Sequence, residues 1–130
     1  MKLLLDTHVF LWWRADPRRL DRKVERAISH ARMVYVSAAS AWEAMIKSQL
    51  GKLRFPGSFS DAVTESEFSR LDITFDHAEA VGDLPHHHGD PFDRLLIAQA
   101  TVEGLTLVSA DRQMEPYKIP VVWADGRKGG

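Results

Sequence analysis

The reading of the fold turns on two adjoining stretches, Asp90-Pro91-Phe92-Asp93-Arg94-Leu95-Leu96-Ile97-Ala98-Gln99-Ala100 and, just past Gly104, Leu105-Thr106-Leu107-Val108-Ser109-Ala110-Asp111. The first predicts a strong helix over 92–103, closed by Gly104. The second is a short apolar run over 105–108 that reads as a buried strand, after which Ser109 and Asp111 open one more helical turn. A helix, a glycine, a buried strand and a trailing acid in that order make one unit of an alternating α/β chain.

The same unit recurs toward both ends of the chain. Residues 2–6 read as a short buried strand ending in Asp6, with Thr7 as N-cap of a helix carrying Val9-Phe10-Leu11-Trp12-Trp13. Asp16-Pro17 opens a second helix to about residue 30, with Leu20, Val24, Ala27 and Ile28 on one face. A second buried strand covers 33–36, and Ser37 caps a helix to about 50 that Gly51 stops. A turn region over 51–60 leads to a short helix over 59–68, a third strand over 71–75 at an edge, and a short helix capped by Asp76. Residues 85–91 form a loop with three histidines and an acid, 121–123 a last strand, and 126–130 a polar tail that should fray. The alternation predicts an α/β fold with a mostly parallel sheet, and 130 residues make a single domain, 1–130.

Composition narrows the function. Leu, Val, Phe and Ile supply 34 of 130 residues, well above the roughly one-fifth below which chains stay disordered. Seventeen Lys and Arg against eighteen Asp and Glu leave a net charge of −1, which speaks against a coat for DNA. The absence of cysteine excludes a disulfide framework, a cysteine zinc ribbon and a thiol nucleophile. The apolar start stops at Asp6, short of a signal peptide, and no later run approaches the ~20 residues that span a bilayer. A soluble, cytoplasmic protein with no membrane partner is expected.

Four acids stand out by position. Asp6 ends the first strand and Asp111 follows the fourth by three residues, and ligands of open parallel sheets bind beyond the carboxyl ends of strands. Each could equally be a helix cap. Asp93 falls on the same helical arc as Leu96, Ile97 and Ala100, an apolar side where acids are rare unless paired or metal-bound, or it is a first-turn acid facing the helix dipole. Glu43 shares a side with Ala39, Ile46 and Leu50, and has Lys47 at i+4 as a surface partner. Four carboxylates from four elements repel one another unless neutralised, and Mg²⁺ or Mn²⁺ answers that need. Such an ion also acidifies water and stabilises a leaving oxygen, so phosphodiester hydrolysis needs no protein nucleophile.

Asp6-Thr7-His8 with Leu11-Trp12 beyond, Trp42-Glu43, the Asp90 to Ala100 stretch and Leu107-Val108-Ser109-Ala110-Asp111 together resemble the PIN-domain nucleases, in particular the VapC-like toxins of bacterial toxin–antitoxin pairs. The resemblance covers essentially the whole chain. It implies a three-layer α/β/α fold and a Mg²⁺-dependent endoribonuclease that cleaves RNA, works as a homodimer and is silenced by a cognate antitoxin. Carried over by residue, the catalytic and metal-binding acids are Asp6, Glu43, Asp93 and Asp111, with Asp90 a further acid that many members lack. Ser109 matches a small hydroxyl position near the last acid, and His8 stands where the wider family often has Asn.

Two rival readings compete with this one. One is a binding module without catalysis, for which Trp12, Trp13, Trp42 and Trp123 would be the contact residues. The other is a zinc hydrolase, since His86, His88 and Asp90 match the opening of a dinuclear zinc motif, although Pro91 stands where a further His is wanted. RNA would also need cations. Arg14, Lys47, Lys52, Arg54, Arg94 and Arg112 lie near the acidic segments, and Arg94 and Arg112 are selected, with Thr7 and Ser109, as substrate-binding candidates.

Overall fold

Leu3, Leu4 and Leu5 are wholly buried, and they alternate: Leu3 and Leu5 join one apolar cluster and Leu4 joins the other. An unbroken apolar run is what a strand covered on both faces requires. In the computed structural model, which describes residues 1–87 and 89–125, this strand is β1 (Lys2–Leu5). It lies at the centre of a five-stranded sheet of order β3-β2-β1-β4-β5. The other strands are β2 (Met33–Ser37), β3 (Ser69–Leu71), β4 (Thr106–Ser109) and β5 (Val121–Trp123), and every pairing is parallel.

Among the described residues there are six α-helices: α1 (Thr7–Ala15), α2 (Arg22–His30), α3 (Ala38–Gln49), α4 (Phe59–Glu65), α5 (Phe75–Val81) and α6 (Pro91–Glu103). On one face, Leu3, Leu5 and Val36 pack with Val9 and Phe10 of α1, Val24 and Ile28 of α2, and Phe59 and Val63 of α4. On the other, Leu4 and Leu107 pack with Leu96, Ile97 and Ala100 of α6. The result is the three-layer α/β/α arrangement. No helix among the described residues is long and apolar enough to cross a membrane.

The structure moves several boundaries, each for a local reason. Asp6, not Thr7, caps α1, its carboxylate accepting from the Val9 amide. The helix expected over 16–30 is two: a 3-10 turn at Pro17–Arg19, then α2 recapped by Asp21, because Leu20 leaves helical geometry to enter the core. The edge strand lies earlier than 71–75 and ends at Leu71, since Thr74 caps α5 in a reciprocal pair with His77, and Asp76 does not. The helix expected over 59–68 ends at Glu65, and Phe68 beyond it packs against Phe10 and Trp13. Residues 126–130, expected to fray, and His88 lie outside the described residues.

Strand order positions the site. From β1 the chain moves outward through β2 to β3, then crosses back to place β4 on the other side of β1. The carboxyl ends of β1 and β4 therefore flank a switch point, where connections diverge and leave a crevice. The entry into β4 depends on Gly104, which ends α6 in the left-handed region at φ 68° with its N–H on the Ala100 carbonyl. A Cβ there meets no atom within 4 Å, so only backbone strain opposes a side chain. Gly104→Ala should cost about 1–2 kcal/mol in urea unfolding, and Gly104→Asn less, because Asn tolerates this region better.

Candidate active site

Asp6 leaves the end of β1 only 5% exposed. Such a carboxylate needs donors, and it has them. Its Oδ1 accepts from the Val9 amide at 2.9 Å and its Oδ2 from the Ser109 hydroxyl at 2.5 Å. Ser109, at the end of β4, in turn accepts from the Asp111 amide at 3.0 Å. The β1 and β4 ends are thus stitched together across the switch point, and Asp111 is held beside Asp6. Burial raises the Asp6 pKa above its ordinary value; Ser109, Val9 and His8 pull it back, and Asp111 adds to the rise.

Glu43, on α3, is also 5% exposed, with both oxygens engaged. Oε1 accepts from the Thr7 hydroxyl at 2.7 Å, and Oε2 lies 2.7 Å from Lys47 Nζ one turn along the helix. Thr7 Oγ1 is also 2.9 Å from Ser40 Oγ. The i+4 pairing of Glu43 with Lys47 is therefore real, but it is partly buried and faces the site.

Asp90 caps α6, accepting from the Phe92 and Asp93 amides at 2.9 and 3.1 Å. Asp93 follows in the first helical turn. Burial lifts its carboxyl to about 8, and the charges of Asp90, Asp111 and Asp6, with a hydrogen bond to the Asp111 side chain, push in the same direction. Asp111 caps the 3-10 turn Arg112–Tyr117 through the Gln113 amide.

Asp6, Thr7, His8, Glu43, Lys47, Asp90, Asp93 and Asp111 line one cavity of about 80 Å³. The sequence-selected acids are brought together. Thr7 lines it and Ser109 lies behind Asp6, each donating to a carboxylate. Arg94 does not line the cavity: its guanidinium donates to the carbonyls of Pro85 and Val81 and to the Tyr117 hydroxyl, tying the 81–85 turn to α6. Arg112 is likewise held elsewhere, 4.1 Å above the Trp123 ring and 3.5 Å from Asp125. Lys47 and His8 line the cavity although sequence reasoning does not select them; the one available signal for Lys47 is its one-turn spacing from a core-side acid. Of the zinc constellation, Asp90 is occupied as a helix cap and His86 is exposed.

The cavity donors are oxygens apart from Lys47 and His8, the chemistry of a small hard cation rather than of zinc. Among the described residues, no three His, Asp or Glu side chains stand ready to grip an ion together. Asp6, Asp90 and Asp111 turn carboxylate oxygens to local amides, and Glu43 is engaged by Thr7 and Lys47. A site of this kind suits Mg²⁺, which keeps several waters and takes one or two carboxylates directly. In the metal-free fold burial, and after it the neighbouring acids, disfavour the charged form of Asp93. Asp93 titrates near 3.8 when unfolded and near 8 when folded, so between those values the native state holds a proton the unfolded state has lost. Stability in EDTA should then fall as pH rises from about 4 to about 8, and Asp93→Asn should flatten that slope in urea unfolding. A slope unchanged by the substitution would show that Asp93 does not carry this pH dependence.

Comparison with known proteins agrees with this architecture. The model of the PIN domain family matches residues 3–119. Ribonuclease VapC22 of Mycobacterium tuberculosis is 34% identical over 128 residues, spanning 93% of this chain and 98% of that protein. Among solved structures, VapBC2 from Rickettsia felis bound to a promoter DNA fragment superposes with a TM-score of 0.71 at 13% identity, covering 94% of this chain and 98% of the other. The DNA-bound VapBC of Salmonella typhimurium does so at 0.67 and 17% identity, with 94% and 97% covered. At these identities the structural likeness speaks for the fold alone. The family match runs from the central strand past the last acid, through every element that lines the cavity, and on that ground the chain belongs to the PIN domain family.

Proposed function

We propose that this protein is a Mg²⁺-dependent endoribonuclease, the toxin of a toxin–antitoxin pair, hydrolysing RNA phosphodiesters in the cytoplasm under the control of a cognate antitoxin. The observation that carries this reading is the convergence of Asp6, Glu43, Asp90, Asp93 and Asp111 on one cavity at the switch point of a parallel sheet. The relationship to a ribonuclease named VapC22 supports the substrate class, and the VapBC structures sharing the fold support an antitoxin partner.

The chain's own groups limit the chemistry. The Thr7 and Ser109 hydroxyls donate to Glu43 and Asp6, which leaves neither free as a nucleophile. In this reading the attacking group is water. Asp6, Glu43, Asp93 and Asp111 would hold the ion, with Asp90 a further candidate, Mn²⁺ being able to replace Mg²⁺. When bound, it supplies an acidified water and neutralises charge on the leaving oxygen. Attack by water bypasses the ribose 2′-hydroxyl, so products should carry 5′-phosphate and 3′-hydroxyl ends.

Exposed Trp42, Met45 and Leu50 at the surface of the α3 region, with Trp42 packed edge-on against Phe92, support a homodimer. Sedimentation at high micromolar concentration should give a dimer; a strict monomer would count against it.

Purified protein incubated with total RNA should cleave it with Mg²⁺ or Mn²⁺ and not in EDTA, with end-mapping returning 5′-phosphates. Cleavage that survives EDTA and leaves 2′,3′-cyclic phosphates would overturn the mechanism. Because an ion must displace the Asp93 proton, calorimetric Mn²⁺ affinity should rise with pH toward about 8. Asp6→Ala and Asp93→Ala should both weaken it, and wild-type affinity in both would rule out a shared site.

A further inference from the structure

An RNA phosphate entering this cavity approaches the carboxylates of Asp6, Glu43, Asp90, Asp93 and Asp111, and something must offset that repulsion. Lys47 is the only lysine or arginine among the described residues that line the cavity. The two arginines that lie nearest the acids in sequence are committed to the protein, Arg94 to two carbonyls and the Tyr117 hydroxyl, and Arg112 to the Trp123 face and Asp125. Lys47 is placed differently. Its Nζ sits 2.7 Å from Glu43 Oε2, and its side chain is 35% exposed while that of Glu43 is 6% exposed. An ammonium carries three donors in a compact charge, so an anchored lysine keeps donors for a second anion.

We infer that Lys47 binds a phosphate of the RNA substrate, with Glu43 acting as the positioning residue that holds the ammonium at the cavity wall. The inference rests on the ribonuclease reading above. It also gives Glu43 a second part beside its place among the acids: Oε1 is fixed by Thr7 and Oε2 by Lys47. The buried acid is the anchor and the lysine is the hand. One helical turn sets the spacing between them.

The test compares wild type, Lys47→Met, Lys47→Gln and Lys47→Arg, with near-ultraviolet circular dichroism confirming each fold. Binding of a short fluorescein-labelled single-stranded RNA of mixed sequence is followed by anisotropy in Ca²⁺ across a salt series. Cleavage of the same RNA is followed in Mg²⁺, and Mn²⁺ affinity by calorimetry. One lost phosphate contact should lower the slope of log K against log salt by about 0.7 in the Met and Gln variants, and Arg should keep the wild-type slope. The kcat/KM of the two neutral variants should fall roughly ten- to a hundredfold while Mn²⁺ affinity holds or tightens. A wild-type slope in both neutral variants, or Mn²⁺ binding lost in step with activity, would show that Lys47 merely props Glu43 and would overturn the inference. A wild-type protein that neither binds nor cleaves RNA would overturn the ribonuclease reading and this role with it, whereas cleavage with unchanged slopes overturns this role alone.

Discussion

The Asp6 carboxylate, only 5% exposed at the end of the central strand, sets the terms for everything around it. An isolated charge there would be far too costly, so the fold surrounds it with donors from two directions: the first turn of α1 through Val9, and β4 through Ser109. Those bonds also shape the fold. The first begins a helix, and the second ties the end of β1 to the end of β4. The crevice between the strands is therefore a consequence of how this acid is satisfied.

The same logic runs through the other acids. Asp90 starts α6 and Asp111 starts the final 3-10 turn, so helix capping and site building use the same side chains. Capping also fixes where those carboxylates sit, because an N-cap oxygen must face the amides of the first turn. Asp93 has no such duty and bears the repulsion, its carboxyl held protonated to about pH 8 by burial and three neighbouring acids. Glu43 escapes through a counter-ion of its own, Lys47. The cavity thus has two electrostatic regimes: aspartates short of positive charge, and a glutamate already neutralised.

Much of this was legible in the residues. An unbroken Leu3-Leu4-Leu5 run suits a strand covered on both faces, Asp6 and Asp111 lie just past strands whose ends meet, and Asp93 sits on the apolar arc of its helix. Boundaries set by tertiary packing were not legible. Leu20 leaves its helix to reach the core, and Thr74 takes the cap expected of Asp76 because His77, fully buried, returns a bond to its backbone and pairs with Glu103. Nothing in the local pattern announces a histidine whose partners lie in another helix.

Cations were the least legible of all, and the reason is physical. An acid on a short side chain stays close to its backbone, so its position in the chain nearly fixes its position in space. A long basic side chain reaches several ångströms and settles on whichever acceptors or rings lie within that radius. Arg94 reaches back to the 81–85 turn, Arg19 lies 4.5 Å above Trp12, and Arg112 rests on Trp123, none of them foreseeable from proximity to an acid along the chain. Lys47 is the exception because its partner is one helical turn away, a spacing that fixes both ends of the pair at once. The ion pair that reads as an ordinary surface feature of α3 is for that reason, among the described residues, the one place where helical spacing puts a lysine at the cavity wall.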